Sequence, residues 1–82
     1  SCAEAFAPHN IRVNAVAPGF VDTDIIDDVS AEAKRALIDS TPISRFGKPE
    51  EIAEVVAFLL TEQSSFVTGQ TYVADGGRVT LP

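Results

Sequence analysis

Residues 11–17 alternate between apolar and more polar positions, which is the pattern of a β-strand. Ile11 and Val13 begin the apolar side and two alanines continue it, and β-branched residues at alternate positions fit a pleated surface. Pro18 and Gly19 end the strand, because proline cannot donate to a sheet ladder and glycine allows backbone angles that a side chain forbids. The sequence therefore predicts a strand over residues 11–17 that opens into a turn at its carboxyl end, where open parallel α/β sheets bind their ligands.

Apolar residues at helical spacing predict two helices further along the chain. The longer covers residues 49–62, where Pro49 suits a first helical position and the two glutamates after it complement the helix dipole. Its apolar stripe is wide enough to need two partners, of which one is the sheet and a neighbouring subunit is a candidate for the other. The shorter helix covers residues 30–40, with Ser30 as its N-cap and no capping box, since Ala33 stands where glutamate would.

The two ends of the chain complete the predicted elements. Residues 1–8 indicate the last turns of a helix with no N-cap before them, as in an element that has been cut open. A second strand is predicted over residues 70–74, followed by an Asp-Gly-Gly turn. If residues 79–81 fold back as a strand, the end is a hairpin; otherwise it is a tail that leaves the sheet, and we favour the tail.

The order strand, helix, helix, strand indicates an α/β fold. If the two strands are parallel neighbours, the connection between them is a right-handed crossover. Two strands do not make a stable sheet alone. We therefore predict a partial Rossmann-type fragment, part of a doubly wound parallel sheet, which is completed by oligomerisation or by missing N-terminal sequence.

The composition limits the size of the core, the cellular compartment and the class of partner that fit this fold. A chain of 82 residues buries only about 60% of the surface that its unfolded form exposes. Cys2 and His9 are the single cysteine and histidine, so neither a disulfide nor a zinc ligand set is at hand to strengthen the core. The lone cysteine, the lack of a signal-peptide pattern and the short apolar runs favour a cytoplasmic protein without a membrane span. A net charge of −6 with scattered basic residues argues against a nucleic-acid partner.

Four aspartates within residues 22–28 raise the question of a calcium site. Counted from Asp22, the sixth and twelfth positions of a calcium loop hold Asp27 and Ala33 in place of glycine and glutamate. A solvated acidic turn is the better interpretation, and we predict no metal site.

Three segments, in the order IRVNAVAPGFVDTD, PISRFGKPEEIAEVVAFLL and SSFVTGQTYVADGG, resemble the C-terminal third of a short-chain dehydrogenase/reductase. The similarity is nearest to the 3-oxoacyl-carrier-protein reductases. It implies a nicotinamide cofactor, NAD or NADP, and a small carbonyl or alcohol substrate. In the family, the turn that matches Pro18, Gly19 and Phe20 passes beside the nicotinamide. The backbone at Val21 pairs with the carboxamide, and the Thr23 hydroxyl binds the cofactor.

The resemblance also assigns roles to the later segments. Residues 25–45 match the family's mobile substrate-covering region, a lid that orders on binding. The helix from Pro49 and the strand at residues 70–74 match elements that pack across a subunit interface in this family. A homo-oligomer or a complementing chain is therefore the expected partner.

The family's catalytic machinery has no counterpart in these residues. The family uses an upstream serine, a tyrosine and a lysine four residues after that tyrosine, but Tyr72 is the only tyrosine here and Gly76 stands four residues later. The glycine-rich phosphate turn is also missing. We therefore predict no catalytic residue in the chain.

Two hypotheses remain open. In the first, the chain is a portion of an NAD(P)-dependent oxidoreductase that carries the nicotinamide-side turn and the lid and is not catalytically competent alone. In the second, it is a truncated, stand-alone, non-catalytic protein that works through self-association or partner binding.

Overall fold

Two short parallel strands lie at the centre of the fold, with helices before, between and around them. A computed structural model describes residues 1–79. In chain order the elements are α1 (Cys2–Phe6), a 3₁₀ turn (Ala7–His9), β1 (Ala15–Pro18), α2 (Asp24–Asp27), α3 (Ala31–Asp39), α4 (Pro49–Leu59), a second 3₁₀ turn (Glu62–Ser64) and β2 (Thr71–Ala74). The parallel pairing of β1 with β2 confirms the predicted α/β class. The choice between a hairpin and a tail concerns residues 79–81, of which 80 and 81 lie outside the described residues.

β1 is shorter than the strand predicted over residues 11–17 and begins later, at Ala15. The residues before it bond to a loop and not to a strand. The Val13 N–H donates to Thr68 Oγ1 at 3.1 Å, and the Val13 carbonyl accepts from the Gly69 N–H at 2.8 Å. The prediction was wrong at its amino end, because a strand-like pattern does not show which partner takes the backbone hydrogen bonds.

Pro18 is the last residue of β1 and not the residue that stops it. In the register, Ala15 lies opposite Thr71 and Pro18 opposite Ala74. The N–H groups of Ala15 and Gly19 bond the β2 side, so by alternation the nitrogen of Pro18 faces the other edge, where no β2 bond is lost.

α4 ends three residues before the predicted end at residue 62. Ser64 is only 1% exposed, and it brings a hydroxyl donor to the last carbonyls of the helix. Its Oγ lies 3.0 to 3.1 Å from the carbonyl oxygens of Phe58, Leu59 and Thr61. The hydroxyl takes the place of a further turn of helix, and the chain passes into the second 3₁₀ turn.

The beginning of the chain differs from the prediction in one respect. The Ser1 hydroxyl accepts a hydrogen bond from the Glu4 N–H at 3.3 Å, so α1 does have an N-cap. Asn10, with a φ of 61°, lies in the left-handed region and ends the 3₁₀ turn that follows α1.

The acidic turn predicted at residues 22–28 contains one turn of helix, α2. In α2 the Ile26 N–H donates to the Thr23 carbonyl at 3.0 Å. The helix predicted over residues 30–40 is α3, one residue shorter at each end. The Ser30 hydroxyl accepts from the Ala33 N–H at 3.1 Å and so caps it.

The apolar core is small for a chain of this length. Among residues 1–79, Ala3 and Leu59 are the apolar side chains that are buried. Large apolar side chains remain exposed at Phe6, Ile11, Ile25, Ile43, Val56, Phe58, Leu60, Phe66, Val73 and Val79. The radius of gyration is 15.6 Å, against about 12 Å for a compact domain of this size. Such exposed apolar surface is typical of a protein face that packs against further protein. No helix in the described part of the chain is long and apolar enough to cross a membrane.

Candidate functional site at the carboxyl end of the sheet

Two turns meet where the parallel strands end: the PGFVDT turn (residues 18–23) after β1 and the DGGRV turn (residues 75–79) after β2. The Gly19 N–H donates to the Ala74 carbonyl at 3.0 Å. A Cβ placed on Gly19 would lie 2.6 Å from Asp75 Cβ and 2.7 Å from Asp75 Cα. The two backbones are therefore so close that only glycine fits at position 19.

Val21 is held in place by hydrogen bonds that its two neighbours make. It forms an isolated parallel bridge with Gly47. The flanking residues make the bonds: the Asp22 N–H donates to the Gly47 carbonyl at 2.8 Å, and the Gly47 N–H donates to the Phe20 carbonyl at 2.9 Å. Within residues 1–79, no protein group bonds the N–H or the C=O of Val21 itself. One donor and one acceptor thus remain on one residue, as a carboxamide would need.

Thr23 and Pro18 lie at the two ends of the same turn. Thr23 is exposed and stands immediately before α2, and its hydroxyl makes no hydrogen bond to any other described residue. Pro18 is exposed at the end of β1. The four residues predicted to bind the cofactor therefore share one turn, in which Gly19 is tightly packed and Val21 and Thr23 offer hydrogen-bonding groups.

A cavity of about 590 Å³ lies beside this turn, between α4 and the end of β2. Phe20 contributes one wall, and Tyr72 and Phe58 contribute others. None of the four predicted cofactor residues lines it. The cavity is thus separate from the Val21 backbone, on the α4 and β2 faces that the resemblance assigns to a subunit contact.

A family model described as enoyl-(acyl carrier protein) reductase matches residues 1–78. The chain belongs to the short-chain dehydrogenase/reductase family. It is 48% identical over 77 residues to the 3-oxoacyl-[acyl-carrier-protein] reductase FabG of Thermotoga maritima. The match covers 94% of the chain and 31% of that relative.

Two solved structures of the family have the same fold over these residues. The crystal structure of 3-oxoacyl-[acyl-carrier protein] reductase from Brucella melitensis matches with a TM-score of 0.90 and 42% identity, covering 93% of this chain and 28% of that one. The structure of YwfH, an NADPH-dependent reductase involved in bacilysin biosynthesis, matches with a TM-score of 0.88 and 36% identity, covering 99% and 35% of the two chains. The chain therefore spans about a third of the length of the relatives that it matches.

In this short-chain dehydrogenase/reductase chain, an ion pair holds the start of α4 beside the site. Arg45 donates from both Nη atoms to the Glu51 carboxylate, at 2.7 and 2.9 Å. The Lys48 N–H donates to the same carboxylate at 2.9 Å. The hydrogen bonds from Arg45, and then that from Lys48, lower the pKa of Glu51 to about 2, and Glu51 in turn raises the pKa of Arg45. Glu51 thus caps α4 and fixes the loop that carries Gly47.

Two residues of the DGGRV turn contact the site, although the sequence predicted only a turn at Asp75 and no role for Arg78. The Asp75 carboxylate accepts from the Gly77 N–H at 3.0 Å and from the Val79 N–H at 2.8 Å. Arg78 places its guanidinium carbon 4.7 Å from the centre of the Phe20 ring. An aspartate two residues before the second glycine is a known Asx-turn signal and could have indicated the first contact. No local signal indicates the second, because it depends on two turns 58 positions apart.

No group of three or more His, Cys, Asp or Glu side chains that could hold a metal occurs within residues 1–79. The Val21 backbone and the Thr23 hydroxyl offer hydrogen-bonding groups that no other described residue uses.

Proposed function

We propose that this chain forms the nicotinamide side of an NAD(P)-dependent oxidoreductase that interconverts a carbonyl and an alcohol. The observation that carries the proposal is the Val21 backbone, with its N–H and C=O unbonded by any described residue, at the carboxyl end of a parallel strand. One donor and one acceptor fix the orientation of a carboxamide. They thereby decide which face of the nicotinamide ring meets the substrate for hydride transfer.

We assign the remaining roles from the packing around Val21 and from what the family resemblance implies. Gly19 lets the turn approach the DGGRV backbone, Pro18 directs the chain out of the sheet, and the Thr23 hydroxyl hydrogen-bonds the cofactor. The cofactor is NAD or NADP; the relative YwfH is described as NADPH dependent. Family relatives named 3-oxoacyl-[acyl-carrier-protein] reductase make a 3-oxoacyl group the first substrate class to try.

The lid of the proposed enzyme is residues 25–45. Its helices α2 and α3 contain no buried residue within the described structure, which suits a segment that orders over a substrate. A cytoplasmic setting is consistent with the single cysteine, Cys2.

Hydride transfer in this proposal needs residues that the chain does not carry. Tyr72 is followed four residues later by Gly76, so the tyrosine and lysine that exchange the substrate proton must come from further sequence or from another chain. The exposed apolar side chains of α4 and β2, among them Phe58 and Val73, would pack against that protein or against a second subunit.

The proposed function is tested in two steps on the protein expressed from its own gene. Intact-mass measurement first determines whether these residues occur in the cell as an 8.7 kDa chain or within a polypeptide several-fold heavier. The species found is then assayed for NADH and NADPH oxidation with ethyl acetoacetate, a 3-oxo ester. We expect oxidation by a heavier species or by a complemented complex, and none by residues 1–82 alone. A heavier species or complex that binds neither nucleotide would contradict the proposal.

A second candidate function rests on the exposed apolar surface. Phe66 and Leu60 are among the large side chains left in solvent, and a stand-alone chain would cover them by self-association or by binding a partner. An 8.7 kDa species that forms a discrete symmetric oligomer and binds no nucleotide would favour this function. A monomeric, well-folded chain would count against it.

A further inference from the structure

Arg78 connects three parts of the molecule that are far apart in sequence. Its guanidinium carbon lies 4.7 Å from the centre of the Phe20 ring, within the PGFVDT turn. Its Nε donates to the Ser40 hydroxyl at 3.3 Å, at the C-cap of α3. Its backbone N–H donates to the Asp75 carbonyl at 3.4 Å, at the end of β2. A planar guanidinium suits this position, because it can stack on a ring and donate in its own plane at the same time.

The DGGRV turn also holds the chain just beyond α3. The Ile43 N–H donates to the Gly76 carbonyl at 3.1 Å. A Cβ on Gly76 would lie 2.8 Å from Thr41 Cγ2, and Gly76 has a φ of 67°, so glycine is required there both for space and for backbone angle. Thr41 is buried, 6% exposed, and its hydroxyl donates to the Leu37 carbonyl at 3.0 Å.

The part of the lid that precedes these contacts, the covering segment (residues 25–40), has few such attachments. Neither α2 nor α3 contains a buried residue within the described structure, and Ile25 is 79% exposed. The segment is therefore fastened mainly at its carboxyl end, where Ser40 meets Arg78. We therefore expect the contacts at that end, those of Arg78 together with those of Thr41 and Ile43, to limit how far the segment opens.

We propose that Arg78 is a positioning residue that fastens the covering segment to the PGFVDT turn by stacking on Phe20 while donating to Ser40. The proposal rests on the proposed function for its consequence in catalysis, since it is the substrate-covering role that makes the fastening matter. Arg78 itself touches neither cofactor nor reacting atoms in this account.

Amide hydrogen exchange over residues 31–40, without nucleotide, tests the fastening directly. The protein is expressed from its own gene, as wild type and as Arg78→Gln. We expect exchange to accelerate about two- to fivefold, the size of effect that an exposed cation–π contact has on an opening equilibrium. Unchanged exchange in Arg78→Gln would overturn the proposal.

Arg35→Gln is the matched control. Arg35 is exposed on α3 and its side chain makes no hydrogen bond within residues 1–79, and glutamine has nearly the helix propensity of arginine. The Arg35→Gln variant removes one positive charge, as Arg78→Gln does, but leaves the contact between Arg78 and Phe20 intact. We expect amide exchange at residues 31–40 in this variant to equal that of the wild type. Acceleration equal to that of Arg78→Gln would show a general charge effect and would overturn the proposal.

Phe20→Leu is a second variant that tests the same contact if Arg78→Gln fails to fold. It removes the ring from the other side of the stack, and we expect the same acceleration at residues 31–40. In the double variant with Arg78→Gln the two effects should not add, since both remove one contact. Arg78→Lys keeps the charge but not the planar stack, and should restore only part of the protection. Full additivity of the two variants would contradict the stacking role.

The kinetic consequence separates this inference from the proposed function. In the assay with NADPH and ethyl acetoacetate, Arg78→Gln should raise the KM for the keto ester about two- to fivefold and leave the KM for NADPH unchanged. If wild type oxidises no nucleotide, the proposed function fails while the exchange result still decides the fastening. If wild type is active and Arg78→Gln exchanges and reacts like wild type, the fastening fails and the function stands.

Discussion

Different interactions hold the connecting loops in place at the two ends of the sheet: side-chain hydrogen bonds at the amino end and backbone packing at the carboxyl end. At the amino end, Arg12 donates to Ser64 Oγ and to the Val67 carbonyl, both at 3.1 Å. The Asn14 side chain donates to the Val67 carbonyl at 3.0 Å and accepts from the Gln70 N–H at 3.1 Å. At the carboxyl end, backbone packs directly on backbone across Gly19, and the N–H and C=O of Val21 stay unbonded within the described residues.

This difference means that the groups that stabilise the fold and the groups free to bind a ligand lie at opposite ends of the sheet. Side chains that satisfy a loop's backbone leave that backbone with nothing to offer a ligand. Glycine contacts hold a turn in place without using its hydrogen-bonding groups. We therefore expect changes at the amino end to alter stability alone, and changes that displace the Val21 backbone at the carboxyl end to alter nucleotide binding as well.

Gly19→Ala should have the largest effect. The new Cβ would lie within 2.7 Å of both Asp75 Cβ and Asp75 Cα, and a backbone atom cannot move aside as a side chain can. We expect a loss of about 1–3 kcal/mol in the free energy of unfolding, and loss of NADPH binding because the PGFVDT turn is displaced. Denaturant unfolding and nucleotide titration measure the two effects.

Gly47→Ala is the matched control for that substitution. The nearest atom to its new Cβ is the Phe20 carbonyl oxygen at 3.7 Å, an ordinary contact. We expect little change in stability or binding. If the two glycine variants had the same stability and nucleotide affinity, close packing at Gly19 would not be what holds the PGFVDT turn in place.

Ser64→Ala should be the next largest effect, and it acts at the amino end. The variant removes a buried hydroxyl that accepts from Arg12 and lies beside the last carbonyls of α4. We expect unfolding to become easier by about 1–3 kcal/mol, with nucleotide affinity of the folded protein unchanged. Ser65→Ala, at an exposed serine whose side chain makes no bond within residues 1–79, should change neither. A fall in affinity in Ser64→Ala at temperatures where it is fully folded would break the distinction between the two ends.

Glu51→Gln should have the smallest effect, and its effect should depend on pH. The pKa of Glu51 is about 2 against an ordinary 4.5. Because the folded value lies below the unfolded one, the stabilisation is fully present above about pH 4.5 and is lost as the pH falls through about 2. The side chains of Arg45 and Glu51 are 49% and 43% exposed, so solvent and salt weaken the pair. Thermal unfolding of the two proteins should differ slightly at pH 7 and converge near pH 2; a difference that grew toward low pH would contradict the assignment.

The sequence predicted the elements whose patterns are strong and local. Strands at the two ends of a helical region, and a helix from Pro49, follow from alternation, helical spacing and the position of proline. The family was predicted from the order of three motifs, and the match over residues 1–78 confirms it.

The differences lie where the outcome depends on distant partners. Val13 hydrogen-bonds a loop more than 50 positions later in the chain and is therefore not part of β1. Ser64 ends α4 early by bringing a hydroxyl donor to the last carbonyl of the helix. The contact of Arg78 with Phe20 likewise exists only once both turns are in place. Helix and strand propensities describe neighbouring residues only, so they do not predict contacts between distant parts of the chain.

Hydrogen exchange with and without NADPH probes the proposed contact between Val21 and the carboxamide. The protein is expressed from its own gene, in the assembly in which it occurs, and peptides covering residues 19–23 and residues 64–70 are compared. We expect nucleotide-dependent protection at residues 19–23, where the Val21 amide would meet the carboxamide, and none at residues 64–70. No protection at residues 19–23, in a protein that demonstrably binds NADPH, would contradict it.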